Sequence, residues 1–162
     1  MKQLDNIYRK ADEKITLFMG QYGILFLRMS LGIIFFWFGF LKFFPGVSPA
    51  DAIATKTISN LTFGIIQPNV SIKILAIWET LIGLGLLTGK FLRITLLLLF
   101  TQMMGTMTPL ALFPAETFTQ FPYAPTLEGQ YIIKNLVLIS AGLVVGATVR
   151  GGRITEDKNK KL

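Results

Sequence analysis

The 162-residue chain is too apolar for an ordinary soluble domain, because 52% of its residues are hydrophobic, only 15% are charged and the mean hydropathy is +0.57. It contains no cysteine and no histidine, which excludes thiol–disulfide exchange, iron–sulfur ligation and the common haem, zinc and copper ligands. The net charge of +7 has no soluble basic domain to carry it, so it indicates contact with anionic lipid and argues against nucleic-acid binding.

Residues 1–21 have an amphipathic pattern. On a helix, the apolar residues of this leader would share one face, and most of its cations would lie elsewhere. The apolar face consists of Leu4, Ile7, Tyr8, Ala11, Ile15 and Phe18, and the cations are Lys2, Arg9, Lys10 and Lys14. The pattern predicts an amphipathic helix in the membrane interface that leads into a first span, with a frayed polar tail as the alternative. No cleavable signal is expected, because no small-residue cleavage site follows the first apolar run.

Four stretches are apolar over a length that suits a membrane span, which needs about 20 helical residues to cross a hydrocarbon core of roughly 30 Å. They lie near residues 23–44, 71–88, 91–113 and 129–149. The sequence therefore predicts an all-α fold, in which residues 1–162 form a single membrane domain built as a four-transmembrane-helix bundle.

The distribution of lysine and arginine predicts the orientation of these spans. Basic residues precede span one, flank the turn between spans two and three, and follow span four in a basic tail at 150–162, whereas the long loops 45–70 and 114–128 contain only Lys56. By the positive-inside rule, both termini and the short turn face the cytoplasm, and the protein is multi-pass in the cytoplasmic (inner) membrane.

The two long loops are expected to lie on the outer membrane surface as a lid. Within the first loop, "SPAD" predicts the start of a short helix over about 49–61, with Ser48 as its cap, Pro49 at its first position and Asp51 complementing the helix dipole. The second loop combines prolines with aromatic residues, which predicts irregular structure at the headgroup level.

Each span carries a stripe of polar residues and glycines, and such stripes favour close helix contact inside a bundle. In span one the stripe is Arg28, Gly32, Phe35, Gly39 and Lys42; in span two it is Glu79, Ile82, Gly83, Leu86 and Lys90. In span three it is Thr101, Gly105 and Thr108, with Gln102 beside it; in span four it is Asn135, Ile139, Gly142 and Gly146, with Lys134 beside it.

Ionisable groups inside a span are costly, and by default they mark a functional site. Glu79 enters span two to a depth of about 12 Å, at 1.5 Å per residue, and we expect it to pair with Lys134 or with Lys42. Arg28 lies in the inner half and needs another partner: a backbone carbonyl, Gln102 or a lipid phosphate. The structural alternative is that these groups only hold the helices together.

A redox role would need a diffusible cofactor or one that belongs to a partner, and a membrane quinone is the natural candidate. Its carbonyls need hydrogen-bond donors and its tail needs an apolar groove. Lys134, Asn135 and an aromatic wall would supply these, with Glu79 as a proton donor or acceptor. The candidate ligand-binding residues are Glu79, Lys134, Asn135, Lys42, Arg28 and Trp78; no catalytic residue is assigned, and no metal or covalently bound cofactor is expected.

Three stretches together resemble the DoxX family of small four-helix membrane proteins: "LRMSLGIIFFWFGFLKFFPG" at 27–46, "WETLIGLGLLTGKFLR" at 78–93 and "GQYIIKNLVLISAGLVV" at 129–145. The resemblance implies a bacterial membrane bundle. Some relatives are described as subunits of thiosulfate:quinone oxidoreductases or of membrane complexes that resist oxidative or thiol stress, and distant eukaryotic relatives assist receptor assembly. By matched motif, Arg28, Lys42, Glu79, Lys134 and Asn135 are the positions that could inherit a role.

Two hypotheses follow. In the first, the protein is a quinone-interacting subunit of a membrane oxidoreductase complex, with membrane lipid, a quinone and an oxidoreductase subunit as partners. In the second, it is a non-enzymatic bundle that binds a lipid-like molecule or acts as a scaffold for assembly. A transporter is a weaker third hypothesis, because four helices leave little room for alternating access unless the protein forms a homo-oligomer.

Overall fold

The computed structural model describes residues 2–48 and 51–152, with side chains from Tyr8 onward. Its elements in chain order are α1 (Lys2–Leu41), α2 (Asp51–Leu61), α3 (Pro68–Thr88), α4 (Leu92–Met107), α5 (Pro109–Leu112), α6 (Pro114–Thr117), β1 (Phe118–Gln120), β2 (Ala124–Pro125) and α7 (Leu127–Ala147). The predicted helix start at Pro49 and most of the basic tail, including Arg153, Lys158, Lys160 and Lys161, lie outside the described residues.

In the described part of the chain, four helices are long and apolar enough to cross a membrane: Tyr8–Leu41, Pro68–Thr88, Leu92–Leu112 and Leu127–Ala147. The third runs through α4 and α5, which meet at Pro109. These helices confirm the predicted all-α polytopic fold, and their ends agree with the predicted spans to within a few residues, except at the start of α1.

The long helices form a bundle in which α1 packs on α3, α3 on α4, α4 on α7 and α7 on α1. As a result α3 and α7 lie diagonally opposite each other. We call the end with the two long loops the loop end, and the end with the tight α3–α4 turn at 89–91 the turn end. The apolar core fills the space between the four helices, and its members are Leu31, Phe35, Ile82, Leu86, Leu96, Leu99, Met103, Ala141 and Val145.

Glycines allow α1 and α3 to touch along their backbones. A Cβ at Gly83 would collide with the backbone of Phe36, and one at Gly39 would lie 2.6 Å from the backbone nitrogen of Thr80. No side chain larger than glycine fits at these two positions. The glycine-containing stripes predicted for spans one and two therefore form the interface between α1 and α3.

The leader and span one form one uninterrupted helix of 40 residues, about 60 Å long at 1.5 Å per residue. The residues that we expected in a separate amphipathic segment therefore continue the span without a helix end at residue 22 or 23. The physical reason is that the leader has no proline and no capping sequence that would end the helix. All the described residues from Tyr8 to Gly23 are exposed.

The loop end is covered by α2, α6 and a small antiparallel hairpin of β1 and β2, in which Phe118 pairs with Pro125 and Gln120 with Ala124. The hairpin was not predicted from the proline-rich sequence. Lys56 of α2 forms an ion pair with Glu116 of α6 and lies 4.5 Å from the centre of the Phe113 ring. The two loops therefore hold each other, as expected of a lid made of both.

The glycine contacts lead to a stability prediction. Replacing Gly83 by alanine should lower the free energy of unfolding by about 1–3 kcal/mol, because the new Cβ forces the α1 and α3 backbones apart. Gly105→Ala in α4 is the matched control, since a Cβ there meets nothing within 4 Å. Detergent-induced unfolding in mixed micelles, followed by tryptophan fluorescence, measures both variants. Equal stability of the two variants would contradict the packing described.

Candidate functional site

Three buried polar side chains meet between α1, α3 and α4. The Lys42 Nζ atom lies 2.6 Å from Oε2 of Glu79, and the Gln102 Nε2 atom donates to Oε1 of Glu79 at 2.6 Å. Lys42 and Glu79 are each 8% exposed and Gln102 is 7% exposed. Both carboxylate oxygens of Glu79 are therefore taken by partners from two other helices. We call Lys42, Glu79 and Gln102 the polar cluster.

The glycine of α1 explains why this cluster forms. Gly39 packs against Glu79 so tightly that an added Cβ would lie 2.7 Å from the Glu79 Cβ. Lys42 follows three residues later, just past the end of α1 at Leu41, where its side chain can reach back to Glu79. Its ammonium group also donates to the carbonyl of Phe38 at 3.4 Å.

The cluster lies about midway along α3 and along the span Leu92–Leu112, on the loop side of the apolar core. Glu79 is eleven residues from the start of α3 at Pro68, which is about 16 Å along the helix. A lone charge at this depth would cost several kcal/mol, whereas a paired and hydrogen-bonded one is tolerated. Glu79 therefore depends on Lys42 for its place in the helix bundle.

Two further groups complete the environment of the cluster. Trp78 is half-buried and donates from Nε1 to the carbonyl of Leu98 at 3.1 Å, which joins α3 to α4 one turn before Gln102. The Oε1 atom of Gln102 is buried and has no hydrogen-bond donor in the described part of the chain. A buried amide oxygen without a donor is a position at which a water or a ligand hydroxyl would bind.

Lys42 also lines an open cleft of roughly 530 Å³ at the loop end. The cleft lies between the end of α1, the start of α2 and the start of α3. Its polar lining includes Asp51, Asn69 and Lys73, and Phe43 and Ile72 contribute apolar surface. Lys42 therefore connects the buried cluster to a hollow large enough for a small headgroup.

The structure decides between the two cations proposed for Glu79. Lys42 is the partner, and the alternative pairing with Lys134 is wrong, because α7 lies diagonally opposite α3 and Lys134 is exposed on the outside of the bundle. The Lys134 Nζ atom lies 5.4 Å from the centre of the Tyr131 ring, one turn closer to the loop end. Asn135 is half-buried on α7 and is likewise separated from the cluster.

Arg28 lies at the turn end, away from the cluster. Its guanidinium is in contact with Gly89, which ends α3 in a left-handed conformation with a φ of 70°. The position places a cation beside the C-terminal carbonyls of α3, where the helix dipole favours it. Gln102, one of the partners expected for Arg28, is instead bound to Glu79.

Sequence reasoning missed several contributors to this region, among them Asn69 of the cleft. Gln102 was noticed as a polar residue in a span, but its inward position beside Glu79 was not predicted. Asp51 was interpreted only as a helix-start residue, and Lys73 was not singled out, although both line the cleft. The available signal was that Lys73 follows Pro68 by five residues, so it lies in the first turns of α3 at the level of the loop end.

The bundle and its buried ion pair define a multi-pass integral membrane protein. The family model for DoxX matches residues 23–113, which is more than half of the chain. The chain belongs to the DoxX family. No curated protein and no solved structure matches it. The match includes Lys42, Glu79 and Gln102 but ends before α7, so the resembling stretch at 129–145 lies outside it.

The cluster predicts which lysine matters for stability. Lys42→Met should lower the free energy of unfolding by about 3–5 kcal/mol, because it leaves the buried carboxylate of Glu79 without its cation. The double variant Lys42→Met with Glu79→Gln should recover most of this loss, since the charge is removed and Gln102 keeps a partner.

Lys134→Met is the control for this experiment. Because Lys134 is exposed, its replacement should change the free energy of unfolding by no more than about 0.5 kcal/mol. Unfolding in mixed micelles measures all three variants. A larger loss in Lys134→Met than in Lys42→Met would contradict the pairing.

Proposed function

We propose that this DoxX protein is a quinone-interacting subunit of a membrane oxidoreductase complex in the bacterial cytoplasmic membrane, with both termini and the turn end on the cytoplasmic side. The observation that carries the proposal is the continuity between the buried polar cluster and the cleft, through Lys42. An ion pair that reaches a hollow of headgroup size combines charge, donors and access in one place.

The lining of the cleft suits a quinone headgroup. Lys42, Lys73 and the amide of Asn69 are hydrogen-bond donors for the two carbonyls of the ring, and Phe43 offers an apolar surface. The cleft opens at the loop end of the bundle, where aromatic residues at the end of α1 and just after it are exposed, among them Phe40 and Phe44. An isoprenoid tail can therefore leave the cleft without crossing the bundle.

The cluster also offers a means of handling protons. Lys42 lines the cleft and its ammonium is paired with Glu79. In this proposal the ammonium donates a hydrogen bond to a bound ligand while Glu79 balances its charge. Electrons must come from a partner subunit, because the chain has neither cysteine nor histidine to hold a metal centre. The sequence analysis expected Lys134 and Asn135 as the hydrogen-bond donors to the quinone, but both lie on α7, away from the cleft. The proposed donors are instead Lys42, Lys73 and Asn69.

A second candidate is a non-enzymatic protein that binds a lipid-like molecule or acts as a scaffold for partner proteins. One observation favours it: both oxygens of Glu79 are already bonded to Lys42 and Gln102. A cluster satisfied within the chain can serve packing alone. The two candidates differ in whether the cleft binds a quinone.

Quinone binding is tested on the full-length protein in mild detergent. The lipid extract should contain quinone, and a menaquinone analogue should quench tryptophan fluorescence in a saturable titration. Lys73→Met should raise the Kd about tenfold or more, because a charge-assisted hydrogen bond is worth roughly 1.5–3 kcal/mol.

Lys90→Met, at the turn end, is the matched control and should leave the Kd unchanged. An extract free of quinone together with no saturable quenching would overturn the quinone proposal and leave the lipid-binding or scaffold candidate.

The orientation has its own test, which the absence of cysteine makes simple. Ser59→Cys in α2 and Lys90→Cys in the turn are exposed or half-buried sites at opposite ends of the bundle. A membrane-impermeant maleimide should label Ser59→Cys in intact spheroplasts and Lys90→Cys only after lysis. The reverse pattern would contradict the orientation.

A further inference from the structure

The leader of α1 carries an apolar stripe that the described chain leaves uncovered. The stripe consists of Tyr8, Ala11, Ile15 and Phe18, spaced three or four residues apart. At 100° per residue these positions lie within an arc of about 80°. Tyr8 is 73% exposed, Ile15 56% and Phe18 53%. These are large apolar side chains on a helix face with no neighbour from the bundle.

The stripe lies beyond the turn end of the bundle. Arg28 contacts Gly89 at the end of α3, so α3 reaches no further along α1 than this level. Tyr8 is twenty residues before Arg28, which is about 30 Å along the helix. If α1 stayed straight in a membrane, the stripe would stand in water, where its apolar surface would be unfavourable.

The nearest surface that can cover the stripe is the membrane into which α1 continues. The leader is joined to span one, so the lipid surface at the turn end is always within reach. Arg9, Lys10 and Lys14 lie outside the stripe and are exposed, and they outnumber the two exposed carboxylates of the segment, Asp12 and Glu13, by one. This excess of positive charge favours contact with anionic headgroups. Apolar stripe and flanking cations together match the chemistry of an anionic bilayer surface.

Gly20 and Gly23 provide the place at which the helix can bend. A Cβ added to either would meet nothing within 4 Å. By contrast, the space beside Gly32, Gly39 and Gly83 is occupied by the neighbouring helix at the α1–α3 contact. Two glycines inside a helix weaken it without any packing need, and sharp helix bends occur at such residues. Both lie between the stripe and the first residues that pack on α3.

The direction of such a bend would bring the stripe to the membrane surface. On an ideal helix the centre of the stripe lies roughly 130° from the face of α1 that packs on the bundle. Bending towards the stripe carries the leader away from the bundle and turns the stripe towards the bilayer. Gly20 then lies on the outer side of the bend, where helical hydrogen bonds open, and Gly23 lies at its flank.

We propose that Gly20 and Gly23 form a hinge at which the part of the leader before it, residues 8–19, folds onto the anionic lipid surface beside the turn end of the bundle. The straight α1 is one state of this hinge, and the leader lying on the membrane is the other. The inference is independent of the proposed quinone site, which is at the opposite end of the bundle.

Spin labels on the full-length protein test the contact with lipid. Single cysteines are introduced at Phe18, on the stripe, and at Glu13, on the opposite face, and the labelled proteins are placed in vesicles of equal parts phosphatidylglycerol and phosphatidylcholine. The ratio of oxygen to nickel-complex accessibility should be several-fold higher at position 18 than at position 13, and the difference should shrink in phosphatidylcholine alone.

Equal ratios at the two positions in the anionic vesicles would overturn the proposal. Strong spin–spin broadening at position 18, which dilution with unlabelled protein removes, would also overturn it, because a second copy would then cover the stripe. These measurements are made on folded protein, and the size-exclusion profile of each variant shows that it is folded.

The hinge is tested by the double variant Gly20→Ala with Gly23→Ala. It should fold, because both new Cβ atoms meet open space, and it should lower the ratio at position 18 at least several-fold by favouring the straight helix. Gly105→Ala is the control, since its Cβ also meets open space and it should leave the ratio unchanged. An unchanged ratio in the double glycine variant would overturn the hinge.

Discussion

The ion pair between Glu79 and Lys42 is the constraint on which the helix bundle depends. A carboxylate at this depth has no water to stabilise it, so it must have a cation on a neighbouring helix and donors for both oxygens. Lys42 and Gln102 meet these needs from α1 and α4. The pair forms only because Gly39 lets α1 approach Glu79 closely. One glycine contact and one carboxylate thus join three of the four long helices.

The polar cluster also separates the apolar core of the bundle from the polar cleft. Towards the turn end from the cluster, the bundle is filled by aliphatic and aromatic side chains. Towards the loop end, Lys42 lines the cleft together with Asp51, Asn69 and Lys73. A ligand headgroup in the cleft would contact the same lysine that neutralises Glu79. Binding there and stability of the bundle are therefore coupled through one lysine. At the turn end, Arg28 and the α3 terminus form a second polar contact, beyond which the leader of α1 projects.

Much of the fold follows from the sequence because its signals are local. Apolar length predicts the four spans, "SPAD" predicts α2, and glycine spacing predicts which faces of the spans make close helix contacts. The choice between Lys42 and Lys134 could not be made in this way, because it depends on the order of the helices around the bundle. Only the diagonal placement of α3 and α7 removes Lys134 from reach. The hairpin at 118–125 and the cleft also depend on contacts between distant segments, which no local pattern encodes.

Photolabelling with an azidoquinone, followed by peptide mapping of the full-length protein, tests the central claim that the cleft beside the polar cluster is a quinone site. The account predicts that the label attaches near Phe43 and in the first turns of α3 near Asn69 and Lys73, and that unlabelled quinone competes with it. Competed labelling on α7 around Lys134, or at the turn end near Arg28, would contradict the account.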